Sequence, residues 1–190
     1  MKTETVEYPL LWDFSGYGTL DGTPHPHLAN CPDFWVYWGI QIEFGKGIGK
    51  VESIADLSAG DARITRALAR HSLVEPILGD IAPGYSIQGD LHHTVHYIPH
   101  VELFVCTNTL EHLEDPDADV AQIREKADKL FTSASLEEVS DEEGDHYWEW
   151  DRTGVEELLT KVGWEISAYC ELDMTPFWYP HSKFGMWACR

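Results

Sequence analysis

Positive charge is scarce in this sequence: 13 Lys and Arg stand against 33 Asp and Glu, a formal net charge of −20 at pH 7. Binding to a nucleic-acid backbone relies on Lys and Arg displacing counterions, so free nucleic acid is an unfavourable partner. Arg63, Arg66 and Arg70 form one basic stripe, whose plain reading is a solvated helix face. The acidic excess gathers at 111–119 and 137–145, and the second run, EEVSDEEGD, reads as a surface loop. No run of about eighteen apolar residues occurs, which argues against a membrane span. The opening residues, MKTETVEYPLLW, carry no long apolar segment, so no signal peptide is expected. Cys31, Cys106, Cys170 and Cys189 show no paired spacing and read as reduced thiols in a cytoplasmic protein. No internal repeat is visible.

Histidine is not scarce, with ten in the chain, but a zinc pattern is. His92, His96 and His100 are spaced four apart, with His93 beside them, as a helical metal stripe requires. Pro99 interrupts that helix and no Cys pair is near, so the stretch reads as a polar loop between strands. His25, His27 and Cys31 are no stronger as ligands, and no metal site is expected.

What the chain does have is enough apolar material for one domain with a sizeable core: 190 residues, 43% hydrophobic and 12% aromatic. Residues 1–49 are rich in aromatics, among them Tyr8, Trp12, Tyr17, Trp35 and Trp38, and in Gly and Pro. Such a segment has too much to bury to be a linker. The expectation is a cap over the core at 50–190, with a short helix near 32–44 and a hinge at 45–49.

From Val51 the pattern alternates between strand and helix. Strands are expected at 51–57, 75–80, 101–107, 129–135, 164–172 and 183–190, and helices at 62–71, 116–128 and 153–162. Asp61 can cap the first helix, with Ile64, Ala67, Leu68 and His71 along one face. Asp115 is an N-cap with Pro116 at the first position, Thr153 and Glu156 have capping-box spacing, and Gly163 is a stop signal. The ten steps from Asp80 to Asp90 are short for a helical crossover, so that part of the sheet is expected to be reduced or irregular.

The richest segment is ADLSAGDARITRALA at 55–69: a strand closed by Asp56, a turn of small residues Ser58, Ala59 and Gly60, then a helix. This arrangement brings a ligand against backbone N–H groups, and a carboxylate at its entrance suits a cationic amino-acid ligand better than a phosphate. Asp80, 24 residues after Asp56, closes the next apolar run, where a carboxylate can hold ribose hydroxyls. VELFVCTN at 101–108 then leads into TLEHLEDPD at 109–117.

With these segments the chain resembles the class I S-adenosylmethionine-dependent methyltransferases, from about Val51 to the C-terminus. Their first motif is D-x-G-x-G-x-G-like, and Ser58 and Ala62 stand here at two of its glycine positions. The resemblance implies a Rossmann-like three-layer α/β sandwich. Its mostly parallel sheet has up to seven strands and ends in an antiparallel C-terminal hairpin. It also implies S-adenosyl-L-methionine as cofactor and a methyl transfer to an O or N nucleophile of a small or medium-sized acceptor. Carried over position by position, Asp56, Ser58 and Gly60 would hold the methionine moiety. Asp80 would hold the ribose, with Ile81 packing on the adenine. Asp90 and Leu91 would flank the adenine, and Asn108 and Thr109 would line the cleft near the methyl. His112 and His146 are the candidate general bases, since imidazole titrates near neutral pH. For His112, packing at a helix start is the alternative; for Asp56, tying down its own turn. A non-catalytic or partner-dependent binding protein of the same fold, acting with a partner subunit, is the rival reading. The replaced glycines and the shortened middle of the sheet keep it open.

Overall fold

The structure, a computed structural model, describes residues 32–136, 146–174 and 183–190, with side chains from Val36 onward. Most of the expected cap, the acidic run 137–145, Cys31 and Trp178 lie outside the described residues. The chain order is α1 (Pro32–Lys46), β1 (Ile54–Asp56), α2 (Arg63–Ser72), β2 (Ile77–Asp80), β3 (Ile87–Gln88), α3 (Leu91–Thr94) and a 3₁₀ turn (Val95–Tyr97). There follow β4 (Val101–Thr107), a second 3₁₀ turn (Leu110–His112), α4 (Pro116–Lys126), β5 (Ala127–Leu136), α5 (Arg152–Lys161), β6 (Ile166–Asp173) and β7 (Lys183–Cys189). The seven strands form one sheet in the order β3-β2-β1-β4-β5-β7-β6. β1 to β5 run parallel, while β7 is antiparallel to both β5 and β6.

Strand β4 shows why both faces of the sheet are covered. Leu103 and Val105 point one way, Phe104 and Cys106 the other, and all four are buried. On the first face Leu103, Val105 and Phe131 pack with Ile64 and Leu68 of α2 and Ile40 and Phe44 of α1. On the second, Phe104 and Cys106 pack with Val120 and Ile123 of α4 and Val155 and Leu159 of α5. Each such large side chain contributes about 1.5–3 kcal/mol by leaving water. Three layers result: helices, sheet, helices.

The expected elements appear with shifted ends. β1 spans Ile54–Asp56 and is shorter than 51–57. The buried stripe of α2 is Ile64, Thr65, Leu68 and Ala69 rather than Ile64, Ala67, Leu68 and His71. The rotation follows the Thr65 hydroxyl, which donates to the buried Asp56 carboxylate. Asp115 caps α4 by accepting from the Ala118 N–H, with Pro116 at the first position. In α5 the cap is Asp151, which accepts from the Gly154 N–H at 2.7 Å, and not Thr153. Gly45 is no hinge: α1 continues through it to Lys46, and a Cβ there would stand 3.0 Å from Leu68 and Phe131. The absent side chain lets α1 lie close on α2 and the sheet.

The reduced middle of the sheet is resolved in detail. Six residues, 81–86, join β2 to the parallel two-residue β3, with no helix between. Gly79 permits the close approach, since a Cβ would stand 2.8 Å from the Ile87 carbonyl oxygen and from Leu57 Cδ2. The histidine stretch expected as a loop is largely short helix. Asp90 caps it by accepting from the His92 N–H at 2.8 Å, and Leu91 and Val95 anchor it in the core. No helix among the described residues is long and apolar enough to cross a membrane. Cys106, Cys170 and Cys189 are free thiols.

Candidate active site at the carboxyl ends of β1 and β4

In an open parallel sheet, ligands bind beyond the carboxyl ends of the strands, where strand order reverses. Here that point is between β1 and β4. β1 delivers Asp56 to it. The side chain is buried; one oxygen accepts the Ser58 N–H at 3.1 Å and the other accepts the Thr65 hydroxyl. Burial pushes this carboxyl up to about 7, and the neighbouring Asp80 adds to the rise, while the hydrogen bonds oppose it.

β2 delivers Asp80 to the same loop. Its carboxylate accepts the Gly60 N–H at 2.7 Å and the Ala82 N–H at 2.8 Å. Burial raises this carboxyl also, against the hydrogen bonds from the Ala82, Gly60 and Ile81 N–H groups. Two buried carboxylates thus converge on the turn 58–60, and neither forms an ion pair among the described residues. Such a pair favours a ligand bearing positive charge and hydroxyl donors.

The turn bends through the left-handed region at Gly60 (φ 55°) and again at Ala62 (φ 58°). Glycine takes that conformation freely; alanine is strained by roughly 1–2 kcal/mol. Asp61 accepts the Arg63 N–H at 3.0 Å and pairs with the Arg63 guanidinium, which lies 3.6 Å over the Trp38 ring. So Arg63 is not part of a solvated stripe. Beside Gly60 the space is open: no heavy atom lies within 4 Å of where a Cβ would be.

β4 delivers Asn108 and Thr109. Thr109 Oγ1 donates to Ser58 Oγ at 2.8 Å, joining the two walls of the crevice. Asn108 sits at φ 52°, and its Oδ1 accepts from Tyr37 Oη at 2.8 Å, Ser133 Oγ at 3.0 Å and Gln41 Nε2 at 3.1 Å. Tyr37 and Gln41 belong to α1, the helix expected within the cap, so that helix is fastened to the tip of β4. Burial raises the Tyr37 phenol above its ordinary value.

The remaining predicted residues divide. Ile81 is a large apolar side chain left 49% exposed beside Asp80. Asp90 is exposed and engaged as the cap of α3. The Leu91 side chain packs in the core with Ala55 and Val95, which leaves only its backbone for a ligand. His112 and His146, 34 residues apart in sequence, meet with ring centroids 4.7 Å apart at an interplanar angle of 73°. The meeting is fixed by backbone: the Glu111 carbonyl accepts the Tyr147 N–H at 2.8 Å.

Several residues at the site were not singled out from sequence. Tyr85 donates to the Gly60 carbonyl at 2.5 Å, and burial beside Asp80 and Asp56 pushes its phenol up to about 12. A lone tyrosine in a Gly- and Pro-rich connection was its only signal. Gln41 is fully buried; a single amide amid the apolar GIQIEF was the signal there. Thr65 and Ser133 carried none.

A concavity lined by Phe44, Ile48, Lys129, Ala188 and Arg190 lies at the opposite end of the sheet. It gathers no buried carboxylate and is remote from these residues.

The fold is that of the class I S-adenosylmethionine-dependent methyltransferases. One solved structure of this fold is the N-methyltransferase NodS from Bradyrhizobium japonicum WM9 in complex with S-adenosyl-L-homocysteine. It shares 14% identity over 90% of this chain and 93% of that one, with a TM-score of 0.70. Another is the 1,6-didemethyltoxoflavin-N1-methyltransferase of Burkholderia thailandensis, with bound 1,6-didemethyltoxoflavin and S-adenosylhomocysteine. It shares 12% identity, covering 86% of this chain and 84% of that one, at TM-score 0.62. The [4+2]-cyclase SpnF is also similar, at 10% identity, 78% of either chain and TM-score 0.63. No protein-family model matches the sequence, and no curated relative does.

Proposed function

We propose that this chain is an S-adenosylmethionine-dependent methyltransferase acting on an O or N nucleophile of a small or medium-sized acceptor. The observation that carries the reading is the convergence of Asp56 and Asp80 on the turn 58–60, beside open space at Gly60. Neighbours of the same fold with bound S-adenosylhomocysteine support it. The residues fit the cofactor. Asp80 accepts from backbone N–H groups of its own loop and keeps acceptor capacity for ribose hydroxyls. Ile81 offers an apolar face for adenine, and Asp56 a carboxylate for the ammonium of the methionine moiety, with Ser58 and Gly60 as its floor. The backbone at Asp90 and Leu91 borders the adenine end.

When bound, the cofactor supplies an electrophilic sulfonium methyl. The chain's contribution is position: Asn108 and Thr109, fixed by Tyr37, Ser133 and Ser58, border the acceptor path, and aligned encounter supplies most of the rate. His112 and His146 stand on the acceptor side, where an imidazole nitrogen can receive the proton an O–H or N–H acceptor loses. The net charge of −20 favours a small molecule over nucleic acid as acceptor. The free thiols fit a reducing, cytoplasmic setting.

Titration calorimetry with S-adenosylmethionine and S-adenosylhomocysteine tests the reading, and micromolar binding of both is expected. No heat with either, alongside tight binding of NAD, sinks it.

A further inference from the structure

We propose that Glu111, His112 and His146 hold a divalent first-row metal ion that takes an acceptor hydroxyl as a further ligand. The acceptor part rests on the methyltransferase reading; the metal site does not.

Each of the three side chains offers one donor atom, and these atoms lie within 4.8 Å of one another. Ligands about 2.1 Å from one ion stand roughly 3–3.5 Å apart, so small side-chain rotations close the set. Two imidazoles and one carboxylate are a donor set that suits Mn²⁺, Fe²⁺, Co²⁺ or Zn²⁺ better than Mg²⁺ or Ca²⁺. The set also leaves coordination positions open for a substrate oxygen.

A second observation points to a cation independently. Glu111 is only 2% exposed, yet its Oε2 has no hydrogen-bond partner among the described residues. Its Oε1 reaches Ser135 N and Oγ only at 3.4 Å, near the limit of a hydrogen bond. No Lys or Arg pairs with it among the described residues. A buried carboxylate left so poorly satisfied is costly unless positive charge compensates it.

The scaffold is also rigid. The Glu111 carbonyl accepts the Tyr147 N–H at 2.8 Å, and Trp148 Nε1 donates to the Leu113 carbonyl at 2.7 Å. The segment carrying His146 is thereby clamped to the turn carrying Glu111 and His112. With a cation there, the imidazoles act as ligands. The ion lowers the pKa of the bound acceptor hydroxyl, its proton leaves to bulk water, and the oxygen remains as nucleophile. The acceptor is then an oxygen nucleophile.

The test is titration of chelator-treated full-length protein with Co²⁺, read by visible d–d absorption. One equivalent of Co²⁺ is expected to develop the spectrum. Glu111→Gln and His146→Ala are each expected to weaken binding by about 100-fold while leaving S-adenosylhomocysteine affinity in place, which shows that the fold survives. No spectrum at one equivalent, or binding unchanged in both variants, overturns the proposal. Co²⁺ binding without S-adenosylhomocysteine binding by the wild-type protein keeps the metal site and removes the methyltransferase reading.

Discussion

Thr109 Oγ1 donates to Ser58 Oγ across 2.8 Å, tying the turn after β1 to the tip of β4. The two strands are neighbours in the sheet, and this bond continues their pairing beyond the last backbone contact, Ala55 with Phe104. It closes the bottom of the crevice with two hydroxyls, each able to rotate toward a ligand above. A glycine at position 58, as in the motif this turn resembles, could not make it.

Asp80 serves two tasks, and its replacement separates them. Asp80→Ala removes the acceptor for the Gly60 and Ala82 N–H groups as well as the proposed ribose contact. Cofactor binding is expected to weaken by about 1.5–3 kcal/mol, and the ligand-free protein to lose about 1–3 kcal/mol of stability. Calorimetry and urea denaturation measure the two losses. Unchanged binding in a folded variant shows that this carboxylate faces no ribose.

Asp56 gives stability a pH dependence of definite sign. Its folded-state pKa is raised to about 7, chiefly by desolvation, from an ordinary 3.8. Its favourable contribution is therefore complete below about pH 4 and is lost as pH rises through about 7. Asp56→Asn is expected to flatten that part of the profile when unfolding free energy is followed from pH 4 to 8. A variant profile parallel to wild type contradicts the assignment.

Gly60 is bordered by open space and sits at φ 55°. Gly60→Ala is expected to cost about 1 kcal/mol in stability through the left-handed backbone. It should also weaken S-adenosylhomocysteine binding by at least about tenfold, because the methyl group enters the proposed ligand space. Binding at wild-type strength means the ligand lies away from this turn.

The N-terminal residues are expected to fold over the crevice and complete the acceptor pocket. Tyr37 and Gln41 already reach Asn108 from α1. Limited proteolysis should show cleavage between residues 16 and 30 slowed by S-adenosylhomocysteine, and Tyr37→Phe should reduce that protection. Equal, rapid cleavage with and without ligand makes the segment an appendage.

Much of the architecture was legible in the chain. Alternating strand and helix patterns gave the order of the elements, because period 2 and period 3.6 burial leave different apolar spacings, while the mostly parallel sheet with an antiparallel end was implied by the family resemblance. Strand β4, expected at 101–107, is observed there, since a continuous apolar run leaves little freedom in its ends. The caps at Asp115 and the stop at Gly163 were local chemistry and equally readable. Asp56 and Asp80 were visible as carboxylates at strand ends.

Tertiary structure decided what those carboxylates touch. That Asp80 accepts from Gly60, 20 residues away, depends on β2 lying beside β1. The cap of α5 went to Asp151 because backbone entry geometry, not spacing alone, selects the accepting side chain. Tyr37, Gln41, Asn108 and Ser133 come from three separate segments, and no periodicity links one segment to another. The same holds for Glu111, His112 and His146. In the sequence Pro99 interrupts the one histidine stripe and no cysteine pair is near, so no metal-ligand spacing is visible there. These three donors are brought together by a backbone hydrogen bond between Glu111, in a turn, and Tyr147, 36 residues on. Local sequence sets what each residue prefers; which side chains share a site is set by how the sheet orders its strands.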